Sequence, residues 1–339
     1  MHEWSVDAVY VCQLHQSHRL PQLVFISNRV DLPIRERKIW EKQKQNAYKS
    51  NVSSFGFHTI YDIHLLRIIN MARISVLMGI YNCAPTLQEA LDSLYAQTYQ
   101  GFKIILCDDG SSDNTLAIAE QNARLHPNVV VIKNERNMGL NYTLNHCLEH
   151  ADTEYCARMD GDDVCDPTRF EKQIKFMDEH PELALCSTPM YMFDEKGKWG
   201  ETKCIPFPTK IDVITRIPSF THAAVMIKTC VYKEVGGYTI SDCLLRVEDC
   251  HLWFKIYAAG YIGGNLTEPL YGMRDDHQAI KRRNWKARRN SIYVTWCGYR
   301  MLHMPYYKYP KLLLHSIVEI AKFLMPNRLY EYFHHKTNK

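Results

Sequence analysis

No stretch of the 339-residue chain approaches the roughly 18 consecutive apolar residues that a bilayer-spanning helix requires, which excludes a membrane-spanning architecture. Nor does the opening Met1-His2-Glu3-Trp4 lead from a basic stretch into an apolar run with a small-residue cleavage site. No secretory signal is visible, and the expected location is the cytoplasm. None of the 12 cysteines is spaced Cys-x-x-Cys, so zinc ribbons and thioredoxin-type chemistry are excluded. Cys107, Cys156 and Cys186 instead sit in apolar runs, where a free thiol behaves as a small hydrophobe. There is no internal repeat.

What is present is an ordinary globular composition, 46% hydrophobic and 23% charged, with a bland net charge of +4. That charge is unevenly spread. Residues 1–70 carry 9 Lys/Arg against 6 Asp/Glu, residues 71–280 carry 19 against 29, and residues 281–339 carry 13 against 2. The chain is therefore an acidic body (−10) with a basic tail (+11). The first 70 residues show no clean periodicity. They are expected to form a poorly ordered extension, with translation beginning at Met71.

From Met71 onward, apolar strand patterns alternate with helical ones. Ile74–Ile80 reads as a buried strand, and Thr86-Leu87-Gln88-Glu89 as a capping box opening a helix. Lys103–Cys107, Val129–Lys133, Tyr155–Met159 and Leu183–Ser187 continue the strand series. This alternation predicts an α/β fold with a parallel sheet covered by helices on both faces. After Pro189 it breaks into a Gly- and Pro-rich hairpin or loop (197–208), a strand at Ala223–Lys228, a Gly236-Gly237-Tyr238 turn, a helix at Asp249–Ala259 and a strand near Leu270. Residues 277–300 read as a basic helix. Lys311–Met325 reads as an amphipathic one, with Leu313, Ile317, Ile320 and Leu324 on one face and His315, Glu319 and Lys322 on the other.

In open parallel sheets, ligands bind beyond the carboxyl ends of the strands. Two acidic clusters fall there: Asp108-Asp109-Gly110-Ser111-Ser112-Asp113 after the second strand, and Asp160-Gly161-Asp162-Asp163 after the fourth. Each also has a plain structural reading, since Asp-Gly turns follow strands and Asp113 suits a helix N-cap. Carboxylates gathered at one edge either raise one another's pKa or take a cation between them, and hard oxygen ligands suit Mg2+ or Mn2+. Such a metal would let an acidic body hold a diphosphate and assist its departure. Glu248-Asp249, at a helix start, either complements the helix dipole or supplies a general base.

These residues, in this order, resemble the family 2 glycosyltransferases, which have the GT-A fold. The carriers are Ser75–Asn82, Gln97-Thr98-Tyr99, Asp108–Thr115, Asn137-Met138-Gly139-Leu140, Asp160–Asp163, Pro167 with Arg169, Gly236-Gly237-Tyr238 and Glu248-Asp249. The resemblance runs from Ile74 to about His277, and it implies a nucleoside-diphosphate-sugar donor, with a UDP-sugar expected. By that resemblance Tyr81 lies against the nucleobase and Asp109 accepts a hydrogen bond from it. Asp162 contacts the metal, Asp160 lies nearer the ribose or sugar with a share in the metal, and Asp249 is the base. It further implies a single inverting displacement and divides the body into a nucleotide-sugar half (71–188) and an acceptor half (189–280). Arg274 resembles a diphosphate-side position or else pairs with Asp275 or Asp276. His222 resembles a recurrent family histidine, for which a structural role is the leading expectation.

The absence of Gln-x-x-Arg-Trp argues against a processive synthase. Two rival readings are a non-catalytic protein that keeps the fold and a metal-dependent nucleotidyltransferase. Retention of Asp109, Asp162 and Asp249 opposes the first, and the lack of Lys or Arg from Gly79 to Thr86 opposes the second. The tail (281–339) interleaves basic residues with aromatics such as Trp296 and Tyr307. An anionic membrane surface, contacted peripherally at its cytoplasmic face, is expected over nucleic acid, with packing on the body as the alternative. The expected acceptor is a glycan or a lipid-linked acceptor of cell-surface polysaccharide assembly, of the exopolysaccharide or capsule type.

Overall fold

The computed structural model describes residues 72–215, 219–275 and 285–324. The expected N-terminal extension (1–70) and the most basic stretch before Trp285 lie outside the described residues. Four of the apolar runs form β1 (Ile74–Ile80), β2 (Phe102–Asp108), β3 (Val129–Lys133) and β4 (Tyr155–Arg158), connected by α1 (Leu87–Tyr95), α2 (Thr115–Leu125) and α3 (Leu140–Glu149). These strands are parallel and lie in the order β3–β2–β1–β4, with Ile80 beside Asp108 and Leu77 beside Arg158. Strand order reverses direction at β1. The carboxyl ends of β1, β2 and β4 therefore flank the crevice where such sheets take ligands.

Then come β5 (Val164–Cys165), α4 (Arg169–Glu179), β6 (Leu185–Ser187), the hairpin of β7 (Met190–Asp194) and β8 (Gly197–Glu201), and α5 (Lys210–Thr215). They are followed by β9 (Met226–Lys228), α6 (Thr229–Glu234), α7 (Glu248–Ala258), β10 (Gly263–Asn265) and β11 (Tyr271–Arg274). The main sheet extends as β10–β6–β9–β4, while β5, β11, β7 and β8 form a second sheet. The sheet is mostly rather than wholly parallel, because β9 runs antiparallel to β4 and to β6. Its expected strand also begins late, since His222–Ala224 forms a helical turn.

β1 is buried on both faces. Ile74, Val76, Met78 and Ile80 join Leu87, Leu91 and Leu94 of α1 and Phe170 and Ile174 of α4 in one core. Leu77 joins Leu144, Cys147 and Leu148 of α3, with Leu252, Phe254 and Tyr257 of α7, in the other. Emptying one such position, as Leu91→Ala does, costs about 2–5 kcal/mol. The expected capping box is not formed. The Thr86 hydroxyl donates to the Gly161 and Cys83 carbonyls, and Glu89 pairs with Arg274.

Two helices close the described chain, α8 (Trp285–Met301) and α9 (Tyr309–Leu324). α9 is amphipathic as expected, but its orientation is a surprise. Its polar side packs on α8: Glu319 accepts from Arg288 at 2.8 Å, Trp296 donates to Ser316 at 3.4 Å, and His315 lies 3.3 Å from the Thr295 hydroxyl.

Candidate active site

Tyr81 follows β1 directly and is 49% exposed at the mouth of the crevice. The next residue, Asn82, takes a left-handed conformation (φ 48°) and knits this loop to the one after β2. Its Oδ1 accepts from the Ser112 N–H at 2.8 Å, and its own N–H donates to Ser111 Oγ at 3.0 Å. Gly110, at φ 71°, lies so near Arg136 that a Cβ would sit 2.8 Å from that residue's carbonyl carbon. Only glycine meets both demands.

Asp109 is buried and held on three sides. Its Oδ1 accepts from Asn134 Nδ2 (2.8 Å) and the Met138 N–H (2.7 Å), and its Oδ2 from the Gly139 N–H (2.9 Å). A carboxylate has about four lone-pair directions, so one remains open on Oδ2. Asp108 Oδ2 accepts from Ser111 N–H at 3.1 Å, while its buried Oδ1 has no hydrogen-bond partner. Asp113 takes the N–H groups of Thr115 and Ala84, so it caps α2 from one residue before the N-cap Asn114.

The loop after β4 is different in kind. Asp160, Asp162 and Asp163 bring carboxylate oxygens within 4.8 Å of one another, the only such acidic, His or Cys group among the described residues. Asp160 Oδ1 accepts from Arg158 at 2.6 Å. Asp163 accepts from the Tyr271 hydroxyl and the Arg274 N–H, both at 2.8 Å. Burial, followed by the charges of Asp160 and Asp162, nevertheless pushes its carboxyl up to about 8. Three hard oxygen donors crowded this closely are the donor set a divalent cation takes, so these residues fit Mn2+ or Mg2+.

Arg274 reaches this loop as well. Its Nε donates to the Asp162 carbonyl at 3.0 Å, and its guanidinium pairs with Glu89; Asp276, one of the two acids expected to pair with it, lies outside the described residues. Asp249 stands at the start of α7, half-buried, with its carboxyl raised by burial; that of Glu248 is raised by burial and then by the charge of Asp249. His222 Nε2 lies 2.5 Å from the Tyr238 hydroxyl, and burial with the nearby Arg158 charge holds the imidazole neutral. This is the structural role expected of it.

The sequence reading missed Arg158. Burial is the largest influence and opposes its charge, yet Asp160, Tyr238, Tyr271 and Glu248 together outweigh it and the guanidinium's pKa rises; its charge also acts on Glu248 and Asp249. The readable signal was a lone cation closing the apolar run Tyr155-Cys156-Ala157. Tyr271 and Glu89 were missed too, since only the fold brings them to this loop.

Residues 75–233 match the model of the family described as glycosyl transferase family 2. Over 272 residues the chain is 32% identical to the amylovoran biosynthesis glycosyltransferase AmsE of Erwinia amylovora, covering 78% of this chain and 99% of that one. It is 30% identical over 269 residues to the UDP-Gal:alpha-D-GlcNAc-diphosphoundecaprenol beta-1,3-galactosyltransferase of Escherichia coli, covering 78% and 96%. Among solved structures, the mannosyltransferase PcManGT of Pyrobaculum calidifontis in complex with GDP-Man and Mn2+ shares the fold. The TM-score is 0.51 at 18% identity, over 82% of this chain and 87% of that one.

Proposed function

The chain belongs to glycosyl transferase family 2 and is a glycosyltransferase of the GT-A fold, and we propose that it moves a sugar from a UDP-sugar to a lipid-linked glycan in cell-surface polysaccharide assembly. The observation that carries this reading is the Asp160, Asp162 and Asp163 cluster at the carboxyl end of β4. Asp162 and Asp160 would hold a divalent cation, Mn2+ or Mg2+, with Asp163 behind them. When bound, it supplies the positive charge that the departing diphosphate needs. The galactosyltransferase relative, named for a UDP-sugar and a diphosphoundecaprenol acceptor, supports the donor and acceptor classes; the Mn2+ in the mannosyltransferase complex supports the metal.

Tyr81 stacks on the base, Asp109 accepts from its edge, and Arg274 faces the diphosphate across the Asp162 carbonyl. Asp249 takes the proton of the acceptor hydroxyl as that oxygen forms its bond to the anomeric carbon. The bond from that carbon to the diphosphate oxygen breaks on the opposite face, and the nucleoside diphosphate leaves with the pair. One displacement inverts the anomeric centre. Transfer assays with UDP-sugars, read by NMR of the product, test this: the expected product has the opposite anomeric configuration to the donor, and a retained configuration would refute the single displacement.

A further inference from the structure

A helix that docks on a water-soluble body normally turns its apolar stripe inward. α9 does the reverse. At about 100° of turn per residue, Leu313, Leu314, Ile317, Val318 and Ile320 share one arc. They are exposed, Ile317 by 61% and Leu314 by 60%. Leu312, Ser316 and Glu319 on the opposite arc face α8, through the contacts already described. The turn leading into α9 adds Tyr306 and Tyr307, 88% and 78% exposed. A cluster of exposed large apolar residues on one helix face marks a surface that something covers.

We propose that the outward face of α9 lies on an anionic lipid bilayer, in the plane of the headgroups. Charge selects this occupant. Residues 285–324 contain seven Lys/Arg and one Asp/Glu, and that one acid, Glu319, is turned inward onto Arg288. The outer surface of these two helices therefore presents apolar side chains, tyrosines and exposed cations such as Lys311 and Arg300, and residues 285–324 add no outward carboxylate to it. A second copy of the same face would set like charges against each other. Anionic headgroups complement it, and interfacial tyrosines and lysines suit the depth at which such a helix rests. No helix of the described residues is long and apolar enough to cross a membrane, so the contact is one of lying on the surface.

The surface deepens the lipid-linked acceptor reading, because it would bring the active site to the leaflet where such an acceptor sits. Its test uses neither donor nor acceptor, so either reading can fail without the other. The full chain is floated with vesicles of phosphatidylcholine alone and of phosphatidylcholine and phosphatidylglycerol in equal parts. The expected result is binding to the anionic vesicles only, weakened about tenfold or more by Ile317→Asp. Lys311→Glu should weaken it about fivefold at low salt, an effect that fades as salt rises. Melting of both variants without vesicles should match that of the unaltered chain. Three results would overturn the proposal: no flotation with anionic vesicles, flotation indifferent to Ile317→Asp, or a lowered melting temperature or lost dimer in that variant, which would mean that the chain itself or a second copy already covers the face.

Discussion

The loops after β2 and after β4 end parallel strands on either side of β1, are both rich in aspartate, and use their carboxylates in opposite ways. Asp109 has three donors from the chain within 2.9 Å and fixes the 134–139 turn. Asp160, Asp162 and Asp163 are drawn together, and the carboxyl of Asp163 is pushed up to about 8 by burial and by its neighbours' charge. A carboxylate that takes three N–H donors from its own chain is fixed in place by them, whereas carboxylates crowded against one another gain from positive charge placed between them. Sequence composition alone does not separate the two cases. Donor count does.

If that contrast is right, the largest effect comes from the β4 loop. Asp162→Ala should cost about a thousandfold in transfer rate while leaving the fold intact, as judged by circular dichroism. A next, smaller loss belongs to Asp249→Asn: about a hundredfold in kcat, with donor binding unchanged in calorimetry. Burial raises the Asp249 carboxyl, so in the unaltered chain kcat should fall as pH drops through that raised value, where the base takes up a proton. The stability effect has the opposite sign. The folded state binds the proton more readily than the unfolded one, so ionisation costs stability, and Asp249→Asn should melt slightly higher at neutral pH.

The β2 loop should respond in stability. Asp109→Ala strands three donors and should lower unfolding free energy by about 1–3 kcal/mol in chemical denaturation. If it instead left stability untouched and abolished only donor binding, the contrast between the loops would fail. The smallest effect is that of Glu89→Gln. Its ion pair with Arg274 is partly solvent-exposed, and the change keeps a hydrogen-bonding side chain there, so it should cost about 0.5 kcal/mol or less.

Much of this was legible in the residues. β1 to β4 are apolar runs long enough to declare themselves, and their strand ends placed Tyr81, Asp109, Asp160 and Asp162 at one sheet edge. β5 is two residues long and β10 is Gly263-Gly264-Asn265; both exist because neighbouring strands pair with them, which no local pattern records. The same holds for the antiparallel insertion of β9. Arg158 stood in plain view, but its service to Asp160 depends on tertiary contact. The periodicity of α9 was readable; which face turns inward was decided by Arg288 meeting Glu319 across two helices.

If a cation bridges the β4 carboxylates and a donor diphosphate, thermal unfolding of the full chain with UDP and Mn2+ shows it most directly. The melting temperature should rise when both are present and far less with UDP alone, and Asp162→Ala should erase the difference. Equal stabilisation by UDP with and without Mn2+, or a shift in Asp162→Ala as large as in the unaltered chain, would contradict it.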